Sequence, residues 1–163
     1  MKLEKFKVSF DKKDVAYFIT FFIMTLVACI FILFNENYRG IGIFGIVFTI
    51  CAMLVFISTI VFKLEVENNN FKIRTKFGKK HEFNLSEIER VFCIKRSGIK
   101  LNTKFYIKIY AKDHFYEVNN QMDGFETLAE YFIQMYINDE LYEDAIDKED
   151  IEQLKFYASK NYK

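Results

Sequence analysis

The chain reads first as two unbroken apolar runs and then as a change of period. Residues 15–34, VAYFITFFIMTLVACIFILF, carry no charge, and their only polar groups are Thr20, Thr25 and the tip of Tyr17. A helix of that length reaches about 30 Å, the thickness of a bilayer's hydrocarbon core. A second uncharged run, IGIFGIVFTICAMLVFISTIVF at residues 41–62, follows after only the six residues NENYRG. Two spans joined by a tight polar turn at 35–40 predict a helical hairpin in a membrane, since the remaining chain holds too little apolar sequence to cover both helices as buried soluble ones.

From residue 63 the period becomes two. FKLEVE (62–67) alternates, NNN makes a turn, and FKIRTKF (71–77) sets Phe71, Ile73, Thr75 and Phe77 against Lys72, Arg74 and Lys76. GKK turns into HEFNL, and Ser86 with Glu89 suggests a capping box before a strand at about 90–96. TKFYIKIYAKD and FYEVNN complete a count of six strands, a meander expected to curl into a small sandwich or open barrel. In DGFETLAEYFIQMYIN, Phe125, Leu128, Ala129, Phe132, Ile133, Tyr136 and Ile137 form a helical stripe behind an Asp123 N-cap. The acidic segment 139–163, with a weaker stripe of Leu141, Ala145, Ile151, Leu154 and Ala158, either docks on the sheet or frays.

These residues carry a resemblance. Two spans, the turn segment KFGKKHEFNLSEIERV, the later FYIKIYAKDHFYEVNN and one closing amphipathic helix resemble the bacterial membrane-anchored PH-like domain proteins, over about residues 10–138. The resemblance implies a PH-like antiparallel β-sandwich capped by a helix, no catalytic activity, and a binding or scaffolding role at the membrane. A PH fold has seven strands where six are counted, and 97–102 is the segment that could hold the seventh. The expected organisation is an N-terminal cytoplasmic segment (1–14), a membrane α-helical hairpin, an α+β cytoplasmic domain (63–138) and the tail.

Charge orients this architecture. Lys2, Lys5, Lys7, Lys12 and Lys13 precede the first span and Lys63, Lys72, Arg74, Lys76, Lys79 and Lys80 follow the second, while the connecting turn has only Arg39. The positive-inside rule then puts both termini in the cytoplasm. Residues 63–112 hold 13 Lys or Arg and 5 Asp or Glu, a net of +8, whereas 113–163 hold 4 and 13, a net of −9. The basic block begins at the inner face of the bilayer, where anionic lipids attract each cation. Lys72, Arg74, Lys76, Lys79 and Lys80 are therefore the candidate contacts for an anionic headgroup, and the acidic tail is a candidate mask for them. An unidentified protein partner is the other expected ligand. Lipid headgroups would compete with nucleic acid for this face, so nucleic acid is not expected.

Other motifs are weaker on physical grounds. GIGIFG at 40–45 matches the dinucleotide fingerprint letter for letter, but no strand precedes it and the position about 20 residues on is Ile60 or Val61 rather than an acid. Its glycines read as packing: Gly40 for a tight turn, and Gly42 and Gly45 with Thr49 and Ala52 as a small-residue face against Thr20, Thr25 and Ala28. LVAC at 26–29 resembles a lipobox, yet the apolar run continues beyond Cys29 and the polar leader is long. Cys29, Cys51 and Cys93 show no disulfide or zinc spacing, and His81 and His114 no metal or triad spacing. No cofactor and no enzymatic activity are expected. A non-enzymatic tethered binding protein follows, with protection against a membrane-active peptide as the alternative.

Overall fold

In the computed structural model, residues 5–75, 78–97, 103–141 and 144–160 are described. Strand β1 (Lys5–Phe10) leads into helix α1 (Lys12–Leu33), and α2 (Arg39–Ile60) returns after a short 3-10 turn at Glu36–Tyr38. Both helices are long and apolar enough to cross a membrane. Strands β2 (Lys63–Glu67), β3 (Asn70–Arg74), β4 (Lys80–Asn84), β5 (Ile88–Ser97), β6 (Thr103–Ala111), β7 (His114–Asn119) and the short β8 (Met122–Asp123) follow. The chain closes with α3 (Phe125–Ile137) and α4 (Lys148–Lys160).

The strands form two antiparallel sheets, β4-β3-β2-β1-β8 and β5-β6-β7. The seventh long strand is β1, ahead of the first helix, and residues 98–102, where a hidden strand was expected, lie outside the described residues. KFKVSF alternates as a strand should, with Val8 fully buried and Lys5 and Lys7 exposed. Its lysines carry the topology signal and so hide the alternation. Because Ser9 faces Lys63 and Phe6 faces Val66, the whole helical hairpin is an insertion between two neighbouring, paired strands. The start of α1 and the end of α2 are thereby held side by side.

Two turns set the register of the hairpins. Asn68 and Asn69 (φ 49° and 63°) join β2 to β3, and Lys112 and Asp113 (φ 50° and 60°) join β6 to β7. Two successive left-handed residues make the two-residue turn whose twist matches that of the strands. The capping box lies two residues earlier than Ser86 and Glu89: Asn84 Oδ1 accepts from the Ser86 N–H at 3.2 Å, and Glu87 Oε2 from the Asn84 N–H at 2.8 Å. That backbone bond, with the Lys112 ammonium, holds the Glu87 carboxyl below its ordinary range.

The core lies between the sheets and under α3. Leu64, Val66, Phe71, Ile73 and Phe83 face Val91, Ile107, Ile109 and Val118, and α3 adds Phe125, Leu128, Ala129, Tyr131, Phe132 and Met135. Each large apolar side chain so buried contributes about 1.5–3 kcal/mol. The buried stripe of α3 is rotated from the expected one: Tyr131 and Met135 are inside, whereas Ile137 is 63% exposed. The N-cap is Gly124 and not Asp123, which belongs to β8. Gly124 has φ 82°, and a Cβ there would lie 2.2 Å from the Lys7 carbonyl oxygen, so only glycine can turn the chain against β1.

The acidic tail docks. The Val91 N–H donates to the Ala145 carbonyl at 2.6 Å, Ile146 forms a parallel bridge to Val91, and Ile151 and Leu154 are buried. Asp150 Oδ1 accepts from the Cys93 N–H at 2.8 Å. The tail thus covers the free edge of β5, which would otherwise expose unpaired backbone groups. Burial, with Asp150 nearby, pushes the Cys93 thiol up to about 12, which makes this cysteine an inert strand residue.

The helical hairpin packs through a narrow seam. A Cβ on Gly42 would come 2.9 Å from Leu33 Cδ2 and 3.1 Å from the Cys29 carbonyl oxygen, and one on Gly45 would come 2.7 Å from Cys29 Sγ. Thr49 is buried and returns its hydroxyl to the Gly45 carbonyl, while Ala52 is half-buried. The facing residues are Cys29 and Leu33 rather than Thr20, Thr25 and Ala28. Thr20 and Ala28 are exposed, and Thr20 and Thr25 bond to carbonyls of their own helix. Gly40 lies inside α2 without a positive φ and with nothing within 4 Å of an added Cβ, so it takes no part in a turn or a contact.

A cationic row where the sheet meets the helical hairpin

The outer face of the five-stranded sheet presents alternate residues of β1 to β4, and the register sorts them into three cross-strand rows. Farthest from the helices stand Lys5, Glu67, Asn70 and Asn84; next come Lys7, Glu65, Lys72 and Glu82; nearest the helices stand Ser9, Lys63, Arg74 and Lys80. The far row holds one cation and one anion, paired at 2.9 Å between Lys5 and Glu67. The middle row alternates in sign. The near row holds three cations and no carboxylate.

Like charges directly opposite one another on a sheet repel, and here Lys63 faces Arg74, which faces Lys80. Glu65 leans out of the middle row onto Lys63, and that hydrogen bond holds its carboxyl below the usual range. The charge left over sits on Arg74 and Lys80, with Lys79 beside them in the turn. Among the described residues no ion pair engages Lys72, Arg74, Lys79 or Lys80, and all four are exposed. Between the rows lies a shallow depression of about 300 Å³ bordered by Lys63, Lys72, Arg74 and Lys80 and by the carboxylates Glu65 and Glu82.

Of the five expected contacts, then, the structure brings Arg74, Lys79 and Lys80 to one edge and sets Lys72 one row away between Glu65 and Glu82. Lys76 lies outside the described residues. Lys63 is the member that strand-by-strand reading leaves out. It is legible once Asn68-Asn69 is taken as a two-residue turn, because that turn alone places residue 63 opposite residue 74. Among the described residues the tail packs on β5 and α3, and Lys72, Arg74, Lys79 and Lys80 stay exposed.

The two histidines, distant in sequence, meet across the gap between the sheets. The His81 and His114 rings stand edge to face with centroids 4.8 Å apart, and Tyr116 stacks on Phe83 beside them. Among the described residues, no third His, Cys, Asp or Glu joins them in a metal-binding group.

No protein-family model matches the chain, and no curated protein or solved structure matches it.

Proposed function

We propose that this chain is a non-enzymatic, membrane-tethered binding module whose PH-like domain engages anionic headgroups at the inner leaflet through the cationic row. The observation that carries the reading is the near row, where Glu65 answers Lys63 and leaves the charge of Arg74 and Lys80, with Lys79 beside them, next to the point where α1 and α2 leave the sheet. These three cations would gain about 3 kcal/mol from an anionic membrane surface. Tethering adds effective concentration, so weak contacts suffice. Support for the two spans comes from α1 and α2 themselves: among the described residues, all but three of the exposed large apolar side chains lie between Tyr17 and Ile57. The PH-like assignment is supported by seven strands of five or more residues in two packed sheets beside α3.

The test needs a soluble form that keeps β1. Replacing residues 11–62 with a short glycine-containing turn preserves the Ser9–Lys63 pairing. Reversal of Arg74, Lys79 and Lys80 to Glu in that form should weaken binding to phosphatidylserine vesicles by about 100-fold or more. Reversal of Lys5 and Lys7 to Glu should change it by less than about threefold, the control for net charge. Equal losses from both sets would show that the row is no site.

A further inference from the structure

Outside the run from Tyr17 to Ile57, the exposed large apolar side chains among the described residues are Phe115, Ile137 and Phe156. Their places in the fold differ. Ile137 ends α3, three residues before Glu140, whose carboxylate accepts from the Asn69 side chain at 3.4 Å in the turn beyond the far row of the sheet. Phe156 lies on α4, which packs on α3 and β5. Phe115 stands at the opposite end from Ile137, where the helices leave the module. Two observations place it there. It borders the same cavity, about 340 Å³, as Phe10, Thr59 and Phe62. Phe10 is two residues before α1, Thr59 is in the last turn of α2, and Phe62 lies between α2 and β2. Its neighbour His114 meets His81, the residue that follows Lys80 of the near row, with ring centroids 4.8 Å apart.

The Phe115 ring is 65% exposed but it is braced. Tyr110 sits directly opposite on β6, and the two rings lie with centroids 4.5 Å apart. Tyr110 is half-buried and donates its hydroxyl to Asp113 Oδ1 at 3.4 Å, so the pair has an apolar body and a polar tip. Glu117, next along the same face of β7, is taken by Lys108 at 3.2 Å. Rings with an apolar body and a polar tip are the side chains that collect at membrane–water interfaces, where one end is wet and the other is not. Position singles out that medium here, because Phe115 shares its cavity with the last turn of a helix long and apolar enough to cross a membrane.

We propose that Phe115, backed by Tyr110, is an aromatic anchor that enters the lipid interface beside the two spans. The inference rests on the membrane-spanning reading above. It gives the module a second contact with the bilayer, from the three-stranded sheet, while the cationic row supplies one from the five-stranded sheet. The two contacts differ in kind: the row needs anionic headgroups, whereas an apolar ring enters the surface of any phospholipid. Held at both sheets, the sandwich cannot swing freely about the ends of α1 and α2, and its orientation to the membrane is fixed.

The chain has no tryptophan, so one introduced at a chosen position reports on that position alone. Phe115→Trp, Ile137→Trp and Phe44→Trp are made in the full chain and reconstituted separately in phosphatidylcholine vesicles, with and without lipid brominated near the head of its acyl chains. Neutral lipid keeps the cationic row out of the result, so the headgroup reading stands or falls separately. Bromine quenches on near contact. Brominated lipid should lower the Phe115→Trp emission by about a third or more and leave Ile137→Trp unchanged, as expected of a ring held at the interface. Acrylamide in the water should quench Phe115→Trp about threefold less than Ile137→Trp. Phe44→Trp, on the outward side of α2, reports whether that helix lies in lipid. A bromolipid loss at Phe115→Trp no greater than at Ile137→Trp, with Phe44→Trp quenched, would overturn the anchor and leave the spans intact. Phe44→Trp emission untouched by bromolipid would overturn the spans and the anchor with them.

Discussion

The two helix pairs of this chain treat apolar side chains in opposite ways. In α1 and α2, the phenylalanines and isoleucines point outward, α1 has no buried residue at all, and α2 buries only Gly42 and Thr49. In α3 and α4 most of the large residues turn inward, Phe132 and Leu154 among them, with Ile137 and Phe156 the exposed ones. Apolar content therefore does not by itself decide what is buried. In water, burying large side chains drives packing, whereas in helices that cross a bilayer, as proposed for α1 and α2, close approach of small residues takes over.

Four substitutions put numbers on that contrast. The largest effect belongs to the inward-facing pair. Phe132→Ala should cost the sheet module about 3–5 kcal/mol, read from denaturant unfolding of the full chain in micelles by tyrosine near-ultraviolet dichroism. Phe44→Ala, an equal truncation on the 72% exposed side of α2, should leave that transition unmoved. Equal losses would erase the distinction between the pairs.

The seam itself comes next. Gly45→Leu pushes a side chain into Cys29 Sγ and should weaken helix packing by about 1–3 kcal/mol. Maleimide labelling of half-buried Cys29 should then speed up about tenfold or more, with exposed Cys51 as an internal standard and Cys93, half-buried with its thiol pushed up to about 12, slow in both. An unchanged Cys29 rate would mean the helices do not meet there.

The smallest effect concerns Asp150, the one carboxylate with which α4 touches β5. Burial pushes its carboxyl up, although the Cys93 N–H pulls the other way. A folded pKa raised above the unfolded one means that the native state holds the proton more tightly. This group's contribution is thus fully present below the unfolded value and is lost as pH rises through the folded one. Asp150→Asn keeps an oxygen for the Cys93 N–H without the buried charge, and should raise Tm by about 1–4 °C at pH 7 and by nothing measurable near pH 3.5. A lower Tm at pH 7 would show instead that the attraction of Arg90 outweighs burial.

What could be read from the sequence depended on whether one signal or two were written over the same residues. The spans stood out because nothing competes with twenty uncharged positions. The β6 stretch TKFYIKIYA was equally clear, with Ile107 and Ile109 buried as its alternation requires. β1 was hidden because its lysines serve as topology signal and strand face at once, and because its partner lies beyond the helical hairpin, at Lys63–Glu67. The stripe of α3 was displaced because Tyr131 carries a polar tip that the fold satisfies internally with Asn69. The basic cluster was visible as a run, but only cross-strand register separates Lys72, flanked by two carboxylates, from Arg74 and Lys80, flanked by cations.

The insertion of the hairpin between β1 and β2 also has a consequence in time. Strand β1 ends at Phe10 and its partner begins at Lys63, so a ribosome adding about 5–20 residues per second leaves roughly 3–10 seconds between the two. Throughout that interval both helices are made while Phe6, Val8 and Phe10 have no partner strand. Lys5 and Lys7, alternating with them, act as gatekeepers that keep such a segment from pairing with another chain. If α1 and α2 are membrane spans, as proposed, the β1–β2 pairing closes only after the residues that insert have been made.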